Sequence, residues 1–308
     1  MARPSASEEP AVRAEVREFL RRSQFMQRGA VITDLDGTAV HEVEGRVYLP
    51  LEVEVGLKQM HERGRRVVIN TMRFPRSVLD AFAVQWYRIT AAPIPLVSLN
   101  GSQIGYLVSA PDGSLMFEQI ASYPLTPGEL DELLIGIEAM VQQGAADDLL
   151  VFFYPRDWRI AEVIYTPGRS RLAATMDKYR SADEVFSGPV QALRDRLMST
   201  EVCLVFLLND APEDRRMAYQ HTERTRFVTH QGVDKRHGAL QIARHLGIDL
   251  EHSVGAGDAE TDTFLSAVGL AAIVGNADLD FKGVHGTLRL PDPLAWGRVL
   301  FKLGQGVS

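Results

Sequence analysis

Residues 30–38 read Ala30-Val31-Ile32-Thr33-Asp34-Leu35-Asp36-Gly37-Thr38, an apolar run that stops at two carboxylates one residue apart. The run predicts a buried strand, and the glycine and threonine after it predict a turn. Alternation along a strand points Asp34 and Asp36 to one side, and a turn at Gly37 wraps both around the strand's carboxyl end. In open parallel α/β sheets that end is where ligands bind. Two like charges so close need a shared proton or a cation. Oxygen ligands with room for a substrate phosphate suit Mg²⁺. An isolated Asp-x-Asp is equally compatible with two solvated acids at a strand end.

Working outward, composition limits the choices. A chain of 308 residues with 45% hydrophobic and 24% charged residues can bury a large core in one big or two medium domains. The formal net charge of -7, without a long basic run, disfavours binding to nucleic acid or to an anionic membrane. The single cysteine, Cys203, sits in the apolar run Val202–Leu208 and reads as core filler, with no intrachain disulfide. No apolar stretch approaches a membrane span, and the first residues lack the apolar segment of an export signal. The expectation is a cytoplasmic protein.

Along the chain, residues 1–28 read as a helical extension in which Val12, Val16, Phe19 and Leu20 recur on one face, a lid helix packed on the body. Residues 51–63 read as a helix, and Arg66–Thr71 as a second buried strand. Pro75 opens a helix to about Tyr87, and Pro95–Gly101 is a third strand ending in Asn100-Gly101. Strands alternating with helices at this spacing imply a parallel sheet. A hairpin around Pro111-Asp112-Gly113 follows. Then come a helix capped by Thr126, paired strands at 149–154 and 159–165, a helix at 189–198, the Cys203 strand and a helix around 212–220. These elements suggest a small α+β module inserted at 122–224, between core segments 29–121 and 225–308. The strand–helix rhythm resumes at Arg226–Thr229, and Ser253–Asp258 reads as another strand ending in an acid and followed by a helix to Ala267.

The strand ends share one chemical theme. Asp34 and Asp36 end the first, Thr71 the second and Asp258 a later one, while Lys235 opens a helix and Asp262 lies one turn past Asp258. In a parallel sheet all carboxyl ends lie along one edge, so these residues can meet. The inventory fits phosphoryl transfer, in which a carboxylate attacks phosphorus once charge repulsion is cancelled. Asp34 is then the nucleophile and Asp36 the general acid and base. Thr71 and Lys235 hold the phosphoryl oxygens. No zinc spacing and no complete dinucleotide glycine pattern is present.

The segments Asp34-Leu35-Asp36-Gly37-Thr38, Asn70-Thr71-Met72-Arg73, Asn100-Gly101, Gly232-Val233-Asp234-Lys235, Gly257–Asp262 and Val274-Gly275-Asn276-Ala277 run in the order found in haloacid dehalogenase-superfamily phosphatases. The chain resembles the Cof-type branch of that superfamily, with its large α/β cap. The resemblance implies a Rossmann-like parallel core with an inserted α+β cap, Mg²⁺ as cofactor, and a small phosphorylated metabolite, such as a sugar phosphate, as substrate. It also implies Asp34, Asp36, Asp258 and Asp262 around the metal, with Asp36 contributing its main-chain carbonyl. Asp34, Asp36, Thr71 and Lys235 become the catalytic set, and Thr71, Arg73, Asn100, Gly101 and Lys235 the substrate-binding set. Met72 stands where many relatives have glycine, and Thr261 where asparagine is common. A phosphosugar mutase and a phosphometabolite-binding regulator without turnover are the alternatives. In the cap, Tyr154, Arg156, Trp158, Arg159, Lys178 and Arg180 are candidates for substrate contact.

Overall fold

The computed structural model describes residues 8–43, 46–143, 149–209 and 225–306. In the first core segment the strands are β1 (Ala30–Thr33), β2 (His41–Val43), β3 (Arg46–Tyr48), β4 (Arg66–Asn70), β5 (Ile94–Ser98), β6 (Gln103–Ser109) and β7 (Leu115–Ser122). Next come β8 (Leu149–Pro155), β9 (Val163–Thr166), β10 (Glu184–Ser187), β11 (Val202–Asn209) and β12 (Thr225–Val228). The chain closes with β13 (Val254–Gly257), β14 (Leu270–Val274) and β15 (Gly286–Leu290).

Eight strands form the larger sheet in the order β15-β14-β13-β1-β4-β5-β6-β7. The first six run parallel, and the β6–β7 hairpin adds an antiparallel edge. The parallel strands are buried on both faces, which is why they read as unbroken apolar runs in the sequence. On one face Val31, Ile69 and Ala272 pack under the helices Leu51–Glu62 and Pro293–Gln305. On the other, Ile32, Val68 and Ile273 pack with the helix Lys235–Leu246. Gly297 lets two helices approach closely, because a Cβ there would collide with the Glu52–Val53 backbone.

The smaller sheet has the order β10-β9-β8-β11-β12. One of its faces packs under the helices Pro127–Gln142 and Val190–Met198 through Leu134, Phe153, Leu193 and Val205. Its other face is apolar as well, and it lies on the core: Phe152, Tyr154, Ile164 and Phe206 cluster with Met72, Phe74 and Leu99. This module is the cap.

Three expectations need correction. The run at 226–229 does not resume the core rhythm: β12 pairs antiparallel with β11, Phe227 opposite Phe206, so the cap sheet extends through Val228 rather than ending at 224. A run as short as Arg226–Thr229 does not encode which of two sheets it joins. The helix Glu8–Arg22 does pack on the body, with Val16 and Phe19 buried, but not as a lid on the strand ends. Phe19 lies against Gly269 and His285, at the amino ends of β14 and β15, on the edge opposite Asp34. The turn after Asp258 forms a 3-10 helix, Thr263–Ser266, instead of an α-helix. The expected helix at 212–220 lies outside the described residues.

The two chain crossings between core and cap meet at one side chain. Thr126 caps the first cap helix, and Glu129 completes a capping box by accepting hydrogen bonds from the Thr126 N–H and hydroxyl, at 2.7 and 2.9 Å. The same carboxylate accepts from the Gln231 N–H at 2.7 Å and lies 3.0 Å from His230 Nδ1 in the second crossing.

Candidate active site

β1 delivers Asp34 to the carboxyl edge of the sheet, and the Asp34 N–H extends the strand ladder by donating to the Ala256 carbonyl. The chain then turns tightly, with the N–H groups of Thr38, Ala39 and Val40 all donating to the Leu35 carbonyl. Gly37 sits at φ +74° in this turn, and a Cβ there would collide with the Asp258 carboxylate, so glycine is needed both for the turn and for the close approach of β13. The Thr38 hydroxyl donates to Asp258 Oδ1 at 3.2 Å.

Lys235 is positioned from several sides. Asp234 caps its helix by accepting from the His237 N–H, and it accepts the Thr263 hydroxyl on its other oxygen. The Asn70 carboxamide at the end of β4 donates to the Lys235 carbonyl at 2.9 Å. After β5, Leu99, Asn100 and Gly101 all adopt positive φ, at 48°, 57° and 93°. This unusual run brings Gly101 against the Asp234 carbonyl, where a side chain would not fit.

The result is a buried ammonium between two carboxylates. Lys235 Nζ donates to Asp34 Oδ1 at 2.9 Å and to Asp262 Oδ1 at 2.6 Å, with all three side chains at most 7% exposed. Asp262 accepts two more bonds: its other oxygen takes the N–H groups of Asp258 and Ala259 at 2.8 and 2.9 Å. It therefore braces the Asp258 turn and Lys235. Burial pushes the Asp34 carboxyl well above the usual carboxylate range, Lys235 pulls it back, and the charges of Asp262, Asp258 and Asp36 add to the rise. Asp258 is raised to about 6, by burial first and then by Asp262. Burial alone would lower the Lys235 ammonium, but Asp262 and Asp34 outweigh it and hold it above its ordinary value.

Asp36 turns elsewhere. Arg73, only 4% exposed, forks onto its carboxylate through Nε at 2.7 Å and Nη2 at 2.5 Å, and donates through Nη1 to Ser77. The two like charges read from the sequence are thus compensated separately, Asp34 by Lys235 and Asp36 by Arg73. Thr71 is buried beside them, its hydroxyl accepting the Arg73 N–H at 3.2 Å and its carbonyl accepting the Asn100 N–H. Asn100 backs Thr71 through its main chain and is itself 3% exposed.

Carboxylate oxygens of Asp34, Asp258 and Asp262 come within 4.8 Å of one another, a group able to hold a metal ion. The donor set fits a hard divalent cation, because it is all oxygen and its two raised carboxyls would both be stabilised as anions by positive charge. Asp262 already accepts three hydrogen bonds, so Asp34 and Asp258 have more lone pairs open to ligation. The Asp36 carboxylate faces Arg73, which leaves its main-chain carbonyl for that purpose.

Of the cap candidates, Tyr154 reaches the seam, stacked on Phe74 with ring centroids 5.4 Å apart and donating its hydroxyl to buried Glu162. Arg156, Arg159 and Arg180 lie in exposed ion pairs with Glu201, Asp157 and Asp177. Lys178 lies over the Tyr179 ring, and Trp158 packs edge-on against Phe117 of the core. Three supporting residues were not singled out in the sequence: Thr38, Asp234 and Ser77. The first two stand inside quoted motifs, so their position was available, but the partners that give them a purpose come from distant strands.

Fold and site together define a capped α/β protein whose chemistry is concentrated in carboxylates beneath one strand edge. Residues 202–284, which include Lys235, Asp258 and Asp262, match the family model of haloacid dehalogenase-like hydrolases. Among solved structures, a phosphatase of the haloalkanoate superfamily from Bacteroides thetaiotaomicron, BT1666, aligns with TM-score 0.63 and 15% identity over 92% of this chain and 97% of its own. The subclass IIB sugar phosphatase BT4131 aligns at 0.62 and 18% over 88% and 96%, and TM0651 from Thermotoga maritima at 0.60 and 14% over 92% and 98%. No curated protein sequence matches the chain. The chain thus shares its overall fold with these capped phosphatases, and its residues 202–284 match the model of haloacid dehalogenase-like hydrolases.

Proposed function

We propose that the protein is a Mg²⁺-dependent phosphomonoester hydrolase that acts on a small sugar phosphate through an aspartyl-phosphate on Asp34. The observation that supports this most directly is the buried Lys235 ammonium bonded to Asp34. A lysine fixed there neutralises charge where a phosphate dianion must approach a carboxylate. Mg²⁺, held by Asp34, Asp258 and the Asp36 carbonyl, would supply further charge neutralisation when bound.

Asp34 attacks phosphorus, and the ester oxygen leaves with a proton from Asp36; water, deprotonated by Asp36, then releases phosphate and restores Asp34. Thr71 donates its hydroxyl hydrogen to a phosphoryl oxygen, since its oxygen already accepts from Arg73. Both Asp36 oxygens lie on Arg73, so delivering the proton requires one of them to swing off the guanidinium. The apolar seam under the cap excludes bulk water from the intermediate. The sugar-phosphate class follows from the likeness to BT4131, whose reported role is sugar phosphatase.

A phosphate-release screen over phosphorylated metabolites, with Mg²⁺ and with chelator, tests the reading. Metal-dependent release from a sugar phosphate is expected. Absence of release from every phosphomonoester would overturn the proposal, and isomer formation without release would shift it to a mutase.

A further inference from the structure

A void of about 470 Å³ opens where three parts of the molecule meet. Arg46 and Val47 of the β2–β3 hairpin form one wall, the segment from Arg73 to Ala81 a second, and Ala161 and Ser181 of the cap the third. Its size falls in the range of small-molecule sites, roughly 300–1,000 Å³. Beside it, Met72, Phe74 and Leu99 pack against the apolar face of the cap sheet.

The void adjoins the proposed acid. Arg73, in its wall, is the residue that holds the Asp36 carboxylate. A group that protonates a leaving oxygen must touch it, so the leaving group lies on the Asp36 side of the phosphorus, and this void opens beside the arginine that holds Asp36.

The charges lining it are unequal. Three guanidiniums face it, from Arg46, Arg73 and Arg76, against one carboxylate, Asp80. Arg73 is committed to Asp36 and Ser77. Arg76 engages Asp183 and the Arg159 carbonyl through Nη1 alone. The Arg46 side chain forms no ion pair or hydrogen bond among the described residues, Asp80 included, and its main chain pairs in the β2–β3 hairpin. In a chain of net charge -7, two arginines with donors to spare beside the reacting acid are a specific feature. A neutral sugar entering there would strip water from these cations without replacing its charge stabilisation, whereas an anion would replace it.

We propose that this void receives the leaving group and that the leaving group bears a second anionic group, a carboxylate or a further phosphate, held by Arg46 and Arg76. The inference rests on the phosphatase reading above and narrows its substrate class.

The test uses the full chain with Mg²⁺ and three esters on one six-carbon skeleton: glucose 6-phosphate, 6-phosphogluconate and glucose 1,6-bisphosphate. One of the two with the extra anion should show kcat/KM about tenfold or more above glucose 6-phosphate, the scale of one charge-assisted contact. Which of them does so separates carboxylate from phosphate. Arg46→Gln and Arg76→Gln should each bring that ratio toward one. Arg76 also ties core to cap through Asp183, so Arg46, on an exposed hairpin, is the independent check. A ratio near one in the wild type, or one that neither variant moves, overturns the inference. Hydrolysis of p-nitrophenyl phosphate in the same preparation shows in that case that the phosphatase reading stands. No release from any of the four esters overturns that reading and this inference together.

Discussion

The carboxyl edge of the core sheet and the underside of the cap face each other, and they are buried in opposite ways. The core edge buries charge: Asp34, Asp262, Lys235 and Arg73 are all nearly inaccessible, each bonded to a partner of opposite sign. The cap underside buries rings and aliphatic chains, Phe152, Tyr154, Ile164 and Phe206. Charge placed in a low-dielectric site needs exact partners and tolerates no slippage, while apolar contact is non-directional and lets a surface slide or lift. The core edge is therefore the half that holds charge in fixed geometry, while the cap meets it through apolar contact.

The sharpest break of that contrast is Asp34→Asn. Phosphate release should fall by about 10³-fold or more while the circular dichroism spectrum is retained. Turnover near the wild-type level would remove the nucleophile from the core edge. Lys235→Met comes next, because it strands Asp34 and Asp262 without a counter-charge. Urea unfolding should show a loss of about 3–5 kcal/mol. On the cap side, Tyr154→Phe deletes one donor to buried Glu162 and should cost about 1–3 kcal/mol, read in the same titration. A loss equal to that of Lys235→Met would mean that the underside is as exacting as the edge it covers.

The smallest effect concerns the crossing between the two regions. Burial pushes Glu129 up, but hydrogen bonds from His230, Thr126 and Gln231 outweigh it and bring it from 4.5 to about 2. A lowered carboxyl stabilises the fold above its unfolded value and loses that contribution as pH falls from about 4.5 through about 2. The melting-temperature advantage of wild type over Glu129→Gln should be full above that window and shrink across it. With solvent screening its size is under about 1 kcal/mol. An advantage independent of pH would remove the carboxylate from the crossing.

Much of the core was legible because its strands announce themselves twice, as short apolar runs and by the polar residues that stop them. Asp34, Asp258 and Lys235 could be gathered onto one edge from topology alone, since a parallel sheet aligns its strand ends. The pairing of Arg73 with Asp36 was not legible. It depends on the path of the chain from Thr71 to Phe74, and Arg73 was read as a substrate contact instead. Met72 offers a physical reason for a departure seen in the sequence: where many relatives have glycine, its side chain fills the seam against the cap. In the cap, β10 and the helix Leu172–Lys178 went unread, because Glu184–Ser187 is only half-buried and shows no clean alternation.

Entry to and exit from the cap through a single carboxylate has an evolutionary corollary. A module whose two ends converge on one point can be excised or replaced in a single recombination without disturbing strand order in the host sheet. Glu129 would behave as a suture, so a foreign cap grafted between Tyr123 and Gln231 would inherit the hydrolytic centre intact while bringing its own taste in ligands.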